Sequence, residues 1–536
     1  MKAVKKEKSN SESIDFKKEL WEAAVNLRGA IEPSDYKRFV LPLIFLRYLN
    51  TGYIKTYNEL DGLTRNKKSD YYCETDKERK AILEDPSFYQ ERKAFLLPKE
   101  ARWGYILENA QKDDNKIILD KALAALEKEY PKQLKGLLPP TFAGSNLSRE
   151  NLAGLINLFS SEKFSNIISS LDYLGQVYQY FIGEFASAEG KRGGEFFTAK
   201  SIVKTLVAML EPVEGKVFDP CTGSASMFVQ ADEFTKHSGN LSFYGQESKE
   251  FTFRLARINL FIHGMEGNIQ MGNSYTNDLF ADLKADYVIA NPPFNDGSKS
   301  EAGWGADLIN SKDTRLTIGT EKVSLAKKNA NYMWMLHFLH HLNENGTAGF
   351  VMANGAMTTS VSEEKNIREI LVKQGFVDCI VRMPEKLFAN TGIPCCLWFL
   401  SKNRKGNSIF RERKNEVLFI DASKMGSLIP GSRKQKYLSD EEIGKIASAY
   451  QSYRKKKGKY QDVEGFCKLA TIEEIQNHGY KLAPGIYVGT ETAEEDDTPF
   501  EEKMKGFKDK LFHQFEDSSK LASEIKKNLN SLKNVD

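Results

Sequence analysis

The chain lacks most of the features that place a protein at a glance. Its 536 residues include only six cysteines and seven histidines. The cysteines (Cys73, Cys221, Cys379, Cys395, Cys396 and Cys467) form no CxxC pair, and none stands at zinc spacing from a histidine, which argues against a structural metal site. Scattered free thiols suit a reducing cytosol. No apolar run is long enough for a membrane span. The longest, "FVLPLIFLRYL", contains Pro42 and Arg47 and reads as a buried helix. The opening "MKAVKKEKSNSESIDF" has no apolar core and is not a secretory signal. Neither sign of charge dominates: 76 Lys and Arg face 73 Asp and Glu, for a net charge of +3. A generally cationic nucleic-acid binder is not indicated, although a local basic face is compatible with this balance. The strict G-x-G-x-x-G is absent. So is GxxxxGK[ST], so a Walker-type phosphate cradle is not supported.

What is present changes character along the chain. The length calls for two or three domains. Residues 1–165 read as an α-helical N-terminal domain. Leu20, Trp21, Ala24 and Leu27 stand at helical spacing, Pro33-Ser34-Asp35 breaks and restarts the helix, and Pro139-Pro140 breaks again. Residues 166–485 alternate short apolar strands with helices: 216–220, 241–247, 268–273, 285–291, 347–354, 376–384 and 394–402. That alternation predicts an α/β fold, a Rossmann-like, doubly wound parallel sheet. Ligands of such sheets sit at the carboxyl ends of the strands. Residues 404–485 are mixed and more charged. Residues 486–536 read as an acidic linker (490–502) and a long helix. Its apolar seam runs Met504, Phe507, Leu511, Phe515, Leu521, Ile525, Leu529, Leu532. The linker favours a partner-binding helix over one folded back on its own domain. His340-His341, in "MWMLHFLHHL", reads as partly buried helix surface.

Four constellations carry chemistry. In "KVFDPCTGSASMF" a strand ends in Asp219-Pro220 and a turn of small residues leads into a helix. Gly223, Ser224 and Ala225 let a ligand approach the backbone, and Asp219 either binds an ammonium or orients the turn. Alone, this is a weak signal. Glu247 ends the next strand, where an acidic residue can grip a ribose diol. Upstream, "KRGGEFFTAK" places Thr198 at an expected helix N-cap whose backbone N–H groups suit a carboxylate. Alone, it is an ordinary capped helix. Finally, "ADYVIANPPFNDG" runs an apolar strand into two prolines, which stiffen the turn and hold Asn291 and Phe294 on either side. On those letters alone the segment reads equally as a rigid loop after a core strand. Beside a nucleoside site, the Asn291 amide carbonyl and the Pro292 backbone carbonyl make two acceptors for one –NH2 group. Its lone pair is then turned toward an electrophile, and Phe294 stacks on a planar base.

In this order, "DPCTG", Glu247 and "NPPF" resemble the amino-methyltransferases that use S-adenosylmethionine. "FKKELWEAAVNLRGAIEPSDYKRFVLPLIFLRYLN", "GEFFTAKSIV", "DYVIANPPFN", "VRMPEKLFANTGIPCCLWFLSK" and "LFIDASKMG" extend the likeness, over about residues 14–510, to the modification (methyltransferase) subunits of type I restriction–modification systems. The resemblance implies N6-adenine methylation of double-stranded DNA in the cytoplasm. It implies a specificity subunit, a second copy of the methyltransferase subunit and a restriction/translocase subunit as partners, and no membrane. Carried over, it assigns S-adenosylmethionine to Glu195, Phe196, Phe197, Thr198, Ala199, Lys200, Asp219, Cys221, Thr222, Gly223, Glu247 and Asn273. It assigns the adenine to Asn291, Pro292, Pro293 and Phe294. Two departures stand out. Ala225 and Ser226 stand where the family often ends the first turn in a second glycine, and Ala199 replaces a helix-start proline.

Two other readings use the same residues. A turn of the "NPPF" kind serves any planar –NH2 group, including RNA bases and protein glutamine. A non-catalytic module that binds the cofactor only to stabilise an assembly is the third. The basic stretch 432–460 is either a phosphate contact or a solvated face.

Overall fold

The computed structural model describes residues 36–92, 94–161, 198–297, 304–388, 392–429, 435–489 and 500–531. Glu195, Phe196, Phe197 and the expected first helix around Leu20–Leu27 lie outside these residues.

Between residues 36 and 161 the described chain is helical and contains no strand. Its main helices are α1 (Tyr36–Arg65), α2 (Asn115–Glu129) and α3 (Arg149–Ser160). Ser148 caps α3 by accepting a hydrogen bond from the Asn151 N–H. Pro42 lies inside α1, where its missing N–H removes one bond of the helical ladder.

The catalytic-type sheet has nine strands: β1 (Gly215–Asp219), β2 (Leu241–Glu247), β3 (Gly267–Met271), β4 (Ala285–Ala290), β5 (Leu342–Ala353), β6 (Val377–Arg382), β7 (Cys395–Ser401), β8 (Glu416–Asp421) and β9 (Cys467–Thr471). Their spatial order is 9-8-6-7-5-4-1-2-3. The strands β3, β2, β1, β4 and β5 run parallel. The sheet as a whole is mixed, because β7 runs antiparallel to β5 and β6 and β9 runs antiparallel to β8. The reason for β7 is the connection. Among the described residues no helix lies between β6 and β7, and a parallel return needs a crossover. The mixed segment 404–485 supplies the last two strands, which its charge had masked.

Helices α4 (Lys200–Leu210), α5 (Ser226–Phe234), α6 (Glu250–Ile262), α7 (Asn331–His341), α8 (Ser362–Lys373) and α9 (Asp440–Arg454) cover the sheet. Two apolar cores result. One packs α4, α5 and α9 against the sheet and the other packs α7 and α8. The helical N-terminal region shares a third core with α6. There Phe261 stacks on Phe95 with ring centres 4.1 Å apart, and the Tyr48 hydroxyl donates to the Ile262 carbonyl at 3.0 Å. Burial of these rings in the shared core fastens the region to α6.

The basic stretch near residue 455 does not form one solvated face. Tyr453 and Arg454 are buried, and the Arg454 guanidinium lies 4.1 Å from the centre of the Phe410 ring. Lys455 pairs with Glu211, which follows α4 just before β1 begins, so this end of α9 lies at the amino end of the sheet.

Residues 489–536 form a second unit whose described part includes α10 (Phe500–Ser531). On it Leu511, Phe512, Phe515, Leu521 and Ile525 are exposed.

Candidate active site

Strand order reverses between β1 and β4: the two run parallel, but the helices that follow them, α5 and α7, pack in different cores of the sheet. The carboxyl ends of β3, β2, β1 and β4 therefore line up side by side, ~4.8 Å apart per strand. Asp219, Glu247, Asn273 and Asn291 follow from those four ends, so the topology gathers residues 72 positions apart in sequence (291 minus 219) on one rim.

The first turn is held from inside. Asp219 is 1% exposed, and its carboxylate accepts from the Cys221 N–H at 3.0 Å and the Cys221 thiol at 3.4 Å. Of the two roles open to it from sequence, orienting the turn is thus visible directly. The Thr222 hydroxyl donates to the Asp219 carbonyl at 2.8 Å. Gly245 on β2 is required here, since a Cβ would lie 2.3 Å from Thr222 Oγ1. Gly223 and Ala225 both take left-handed backbone, with φ of 56° and 61°. Ala225 therefore bears a Cβ where glycine is unstrained, at a cost of ~1–2 kcal/mol.

Glu247 is buried. Its Oε2 accepts from the Gly223 N–H at 3.0 Å and its Oε1 from the Lys249 N–H at 2.9 Å. Each oxygen has lone-pair capacity left for a further donor. Burial pushes both acids up, Asp219 to about 7. Two buried carboxylates with few cations beside them form a site suited to a cationic, hydroxyl-bearing ligand. Asn273 is exposed, and its side-chain carbonyl accepts from the Tyr275 N–H at 2.9 Å.

The fourth turn holds the reactive geometry. The Asn291 Nδ2 donates to Thr198 Oγ1 at 2.9 Å. Its Oδ1 is buried and has no hydrogen-bond partner among the described residues. Leaving such an acceptor unpaired costs ~1–3 kcal/mol, which a ligand donor would recover. Asn295, at φ 54°, exchanges hydrogen bonds with Asn331 at the start of α7: its N–H donates to Asn331 Oδ1 and its Oδ1 accepts from Asn331 Nδ2, both at 2.9 Å. The turn is thus pinned on both sides, by Thr198 before α4 and by Asn331 on α7. Phe294 is half-buried and meets Phe388 edge to face, with centres 6.1 Å apart and planes at 82°.

Thr198 is not the helix cap its position predicts. Ala199 stands at the cap of α4 and makes no side-chain cap bond, while the Thr198 hydroxyl is turned to Asn291. The missing helix-start proline leaves Ala199 buried in the core beneath α4.

Comparison with known proteins places this geometry in a family. Residues 169–496 match the family described as N-6 DNA Methylase, and residues 16–159 match the HsdM N-terminal domain. The type I restriction enzyme MjaIX methylase subunit of Methanocaldococcus jannaschii is 40% identical over 524 residues, 97% of this chain and 91% of that protein. The HindI methylase subunit of Haemophilus influenzae is 41% identical over 432 residues, 77% of this chain and 92% of that protein. In fold, the methyltransferase subunit of a type I system from Streptococcus thermophilus covers 89% of this chain, and all of its own 100%, at a TM-score of 0.69 and 24% identity. The chain belongs to the N-6 DNA methylases, as a type I restriction–modification methylase subunit.

Behind the rim, the methylase subunit carries an inner brace that sequence reading missed. Arg315 is buried and donates to the Ser274 and Tyr275 carbonyls at 2.7 Å each, while pairing with Asp313 at 2.6 Å. It clamps the loop that follows Asn273. Asp278, His337 and His341 lie beside it, with nitrogen and oxygen atoms within 4.8 Å of one another. That is metal-ligand spacing, and a hydrogen-bond network runs through the same residues. The Arg315 Nη1 can only donate, so His337 Nδ1, 3.1 Å away, accepts, and the His337 proton sits on Nε2. Nε2 is buried and has no hydrogen-bond partner among the described residues. Burial holds His337 well below the usual imidazole range, which keeps it neutral. Asp278 contacts His341 directly at 2.9 Å. Burial alone would raise the Asp278 acid, but the His341 hydrogen bond and charge hold it well below its usual range.

His341 is therefore fully buried, not partly buried surface. It packs against Phe218 of β1, with ring centres 4.6 Å apart, and its Nδ1 lies 3.0 Å from the Leu283 carbonyl. Phe388 was likewise not singled out as a site residue. It lies within a quoted family segment, and no local pattern distinguishes it from a core phenylalanine. Among the described residues, no helix is long and apolar enough to cross a membrane.

Proposed function

We propose that the methylase subunit transfers a methyl group from S-adenosylmethionine to the N6 amine of adenine in double-stranded DNA, at a site chosen by a separate specificity subunit. The observation that carries this reading is the buried, unpaired Asn291 Oδ1 on a doubly pinned turn, adjoining Glu247 and Asp219 on one rim. Assembly with a second methylase subunit and a restriction/translocase subunit, in the cytoplasm, completes the proposal.

The residues fit the cofactor. Glu247 retains acceptor capacity for a ribose diol, the buried Asp219 carboxylate suits a cationic group, and the turn Cys221–Gly223 presents backbone to a nucleoside. Asn273 lines the same rim, and the family resemblance assigns the methionine side to Glu195–Lys200. When bound, S-adenosylmethionine supplies an electrophilic methyl group on a sulfonium.

The chain's own groups then prepare the amine. Asn291 Oδ1 and the Pro292 carbonyl accept its two N–H bonds, which turns the nitrogen lone pair out of conjugation with the ring. These acceptors accelerate the reaction to the extent that they bind the tetrahedral nitrogen better than the planar one. Pro293 keeps the turn rigid. Phe294 provides a stacking face worth ~1–3 kcal/mol, and Phe388, edge-on to it, a second wall. Extruding the base from the duplex costs a few kcal/mol. Stacking returns part of this, and contacts made by the assembled complex return the rest. The exposed apolar seam of α10 is the surface offered to a helical partner.

Membership of a DNA methylase family disfavours an RNA base or a glutamine amide as substrate. A passive module has no use for an unpaired buried acceptor. The test is methyl transfer from labelled S-adenosylmethionine to DNA by the complex, followed by identification of the methylated base. N6-methyladenine is expected, and Asn291→Ala should abolish it while leaving cofactor binding intact. Near-wild-type activity of that variant would remove Asn291 from the proposed role.

A further inference from the structure

The loop after β3 does more than present Asn273. Its next two residues, Ser274 and Tyr275, are both buried and reach in different directions. The Ser274 hydroxyl donates at 2.6 Å to the carbonyl of Pro220, which stands between Asp219 and Cys221 in the first turn. The Tyr275 hydroxyl donates at 3.3 Å to the Asp296 carboxylate, two residues past Phe294 in the fourth turn. The backbone that joins them is held from behind, since Arg315 donates to both of their carbonyls. One dipeptide therefore touches both the turn proposed for the cofactor and the turn proposed for the adenine.

The Tyr275 ring does not need its hydroxyl in order to pack. It lies 4.9 Å from the Trp304 ring and 4.6 Å from the Trp334 ring, contacts that a phenylalanine would keep. A buried hydroxyl costs free energy unless it is bonded, and the bond made here is to Asp296. Burial and the Asp296 charge push the phenol well above its usual range, so it keeps the proton that it donates. The other pins of the fourth turn run elsewhere. Thr198 holds Asn291 from just before α4. The start of α7 holds the far side, with Asn331 on Asn295 and the Ala330 N–H donating to the Asp296 carbonyl at 3.3 Å. Tyr275 ties the turn to the loop after β3.

Methyl transfer is sensitive to that tie. Reacting atoms must approach to about 3–3.5 Å, and a displacement of about 1 Å costs on the order of a hundredfold in rate. We propose that Tyr275 is a positioning residue for methyl transfer: its hydroxyl, through Asp296, sets the target-amine turn against the cofactor turn, and Ser274 anchors the cofactor end of the same link. The inference rests on the adenine reading above. Tyr275 acts through Asp296 and touches no reacting atom.

The test uses the full complex with its specificity subunit and compares wild type with Tyr275→Phe, Asp296→Ala, the double variant and Asp296→Asn. Melting temperature, S-adenosylhomocysteine affinity by calorimetry and single-turnover methylation rate are measured for each. Tyr275→Phe is expected to keep its melting temperature and cofactor-product affinity and to lose at least about fivefold in rate. Asp296→Ala should do the same, and the double variant should be no slower than the slower single, because both changes remove one bond. Asp296→Asn leaves an acceptor for the phenol and should recover most of the rate. A Tyr275→Phe rate within about fivefold of wild type overturns the inference. So does a double variant in which the two losses multiply, since the residues would then act separately, and so does a loss of affinity as large as the loss of rate. Should Tyr275→Phe unfold, Asp296→Ala and Asp296→Asn, at an exposed side chain, decide alone: equal rates overturn the inference. Absence of N6-methyladenine in the wild-type reaction would instead end the adenine reading itself, so the two failures are distinguishable.

Discussion

Asp219→Asn offers a direct physical probe of the cofactor side. The carboxyl is 1% exposed, and burial raises its pKa from 3.8 to about 7, with the neighbouring Glu247 charge working in the same direction. A raised carboxyl favours the protonated, acidic-pH form of the folded state. Its contribution to stability is fully present below the unfolded value and is lost as pH rises through about 7. At ~1.36 kcal/mol per unit, the full span has a ceiling of ~4 kcal/mol. Between about pH 5.5 and 8.5 the loss comes to roughly 2 kcal/mol, about four-fifths of it below neutrality. Asparagine keeps an acceptor for the Cys221 N–H but does not titrate. It introduces an amide donor of its own, so the absolute stability of the variant is not the useful quantity. The pH dependence of the difference is. Equilibrium urea unfolding of both proteins without cofactor, across that pH range, should show the variant gaining about 2 kcal/mol on wild type as pH rises. A difference that stays flat with pH would refute the reasoning about Asp219. Saturating S-adenosylmethionine should flatten the wild-type curve, because a cation beside Asp219 holds it ionised at every pH in the range.

Three further outcomes follow from the same geometry. Glu247→Ala should weaken S-adenosylmethionine binding by roughly 1.5–3 kcal/mol, as for a lost charged hydrogen bond; calorimetry showing unchanged affinity would take Glu247 out of the site. Arg315→Ala strips the clamp from the Ser274 and Tyr275 carbonyls and leaves Asp313 without its buried partner. It should cost about 3–5 kcal/mol and expose the loop after Asn273 to proteolysis, and an unaltered melting temperature would contradict it. Deleting residues 500–536 should leave S-adenosylmethionine binding in place but prevent co-purification with the specificity subunit; retained co-purification would assign the α10 seam another purpose.

Local chemistry determined much of this protein before any fold was known. Seven of the nine strands stand out in the sequence because each is a short β-branched and aromatic run, and the ends of four of them carry Asp219, Glu247, Asn273 and Asn291. The stiff Asn-Pro-Pro-Phe turn is equally local, since two prolines restrict the backbone whatever surrounds them. Charge hid β8 and β9, and the direction of β7 depended on a connection without a helix.

Side-chain partnership across distance was decided only in three dimensions. Thr198 meets Asn291 across 93 residues, Phe294 meets Phe388, and a loop arginine at 315 braces carbonyls some forty positions earlier. His341 is buried against Phe218 of β1, Asp278 and Leu283, contacts that helical periodicity cannot register. A periodic pattern reports how one element faces its own core. It does not report which other element arrives to cover the remaining face, or which end of an amide a distant hydroxyl will hold.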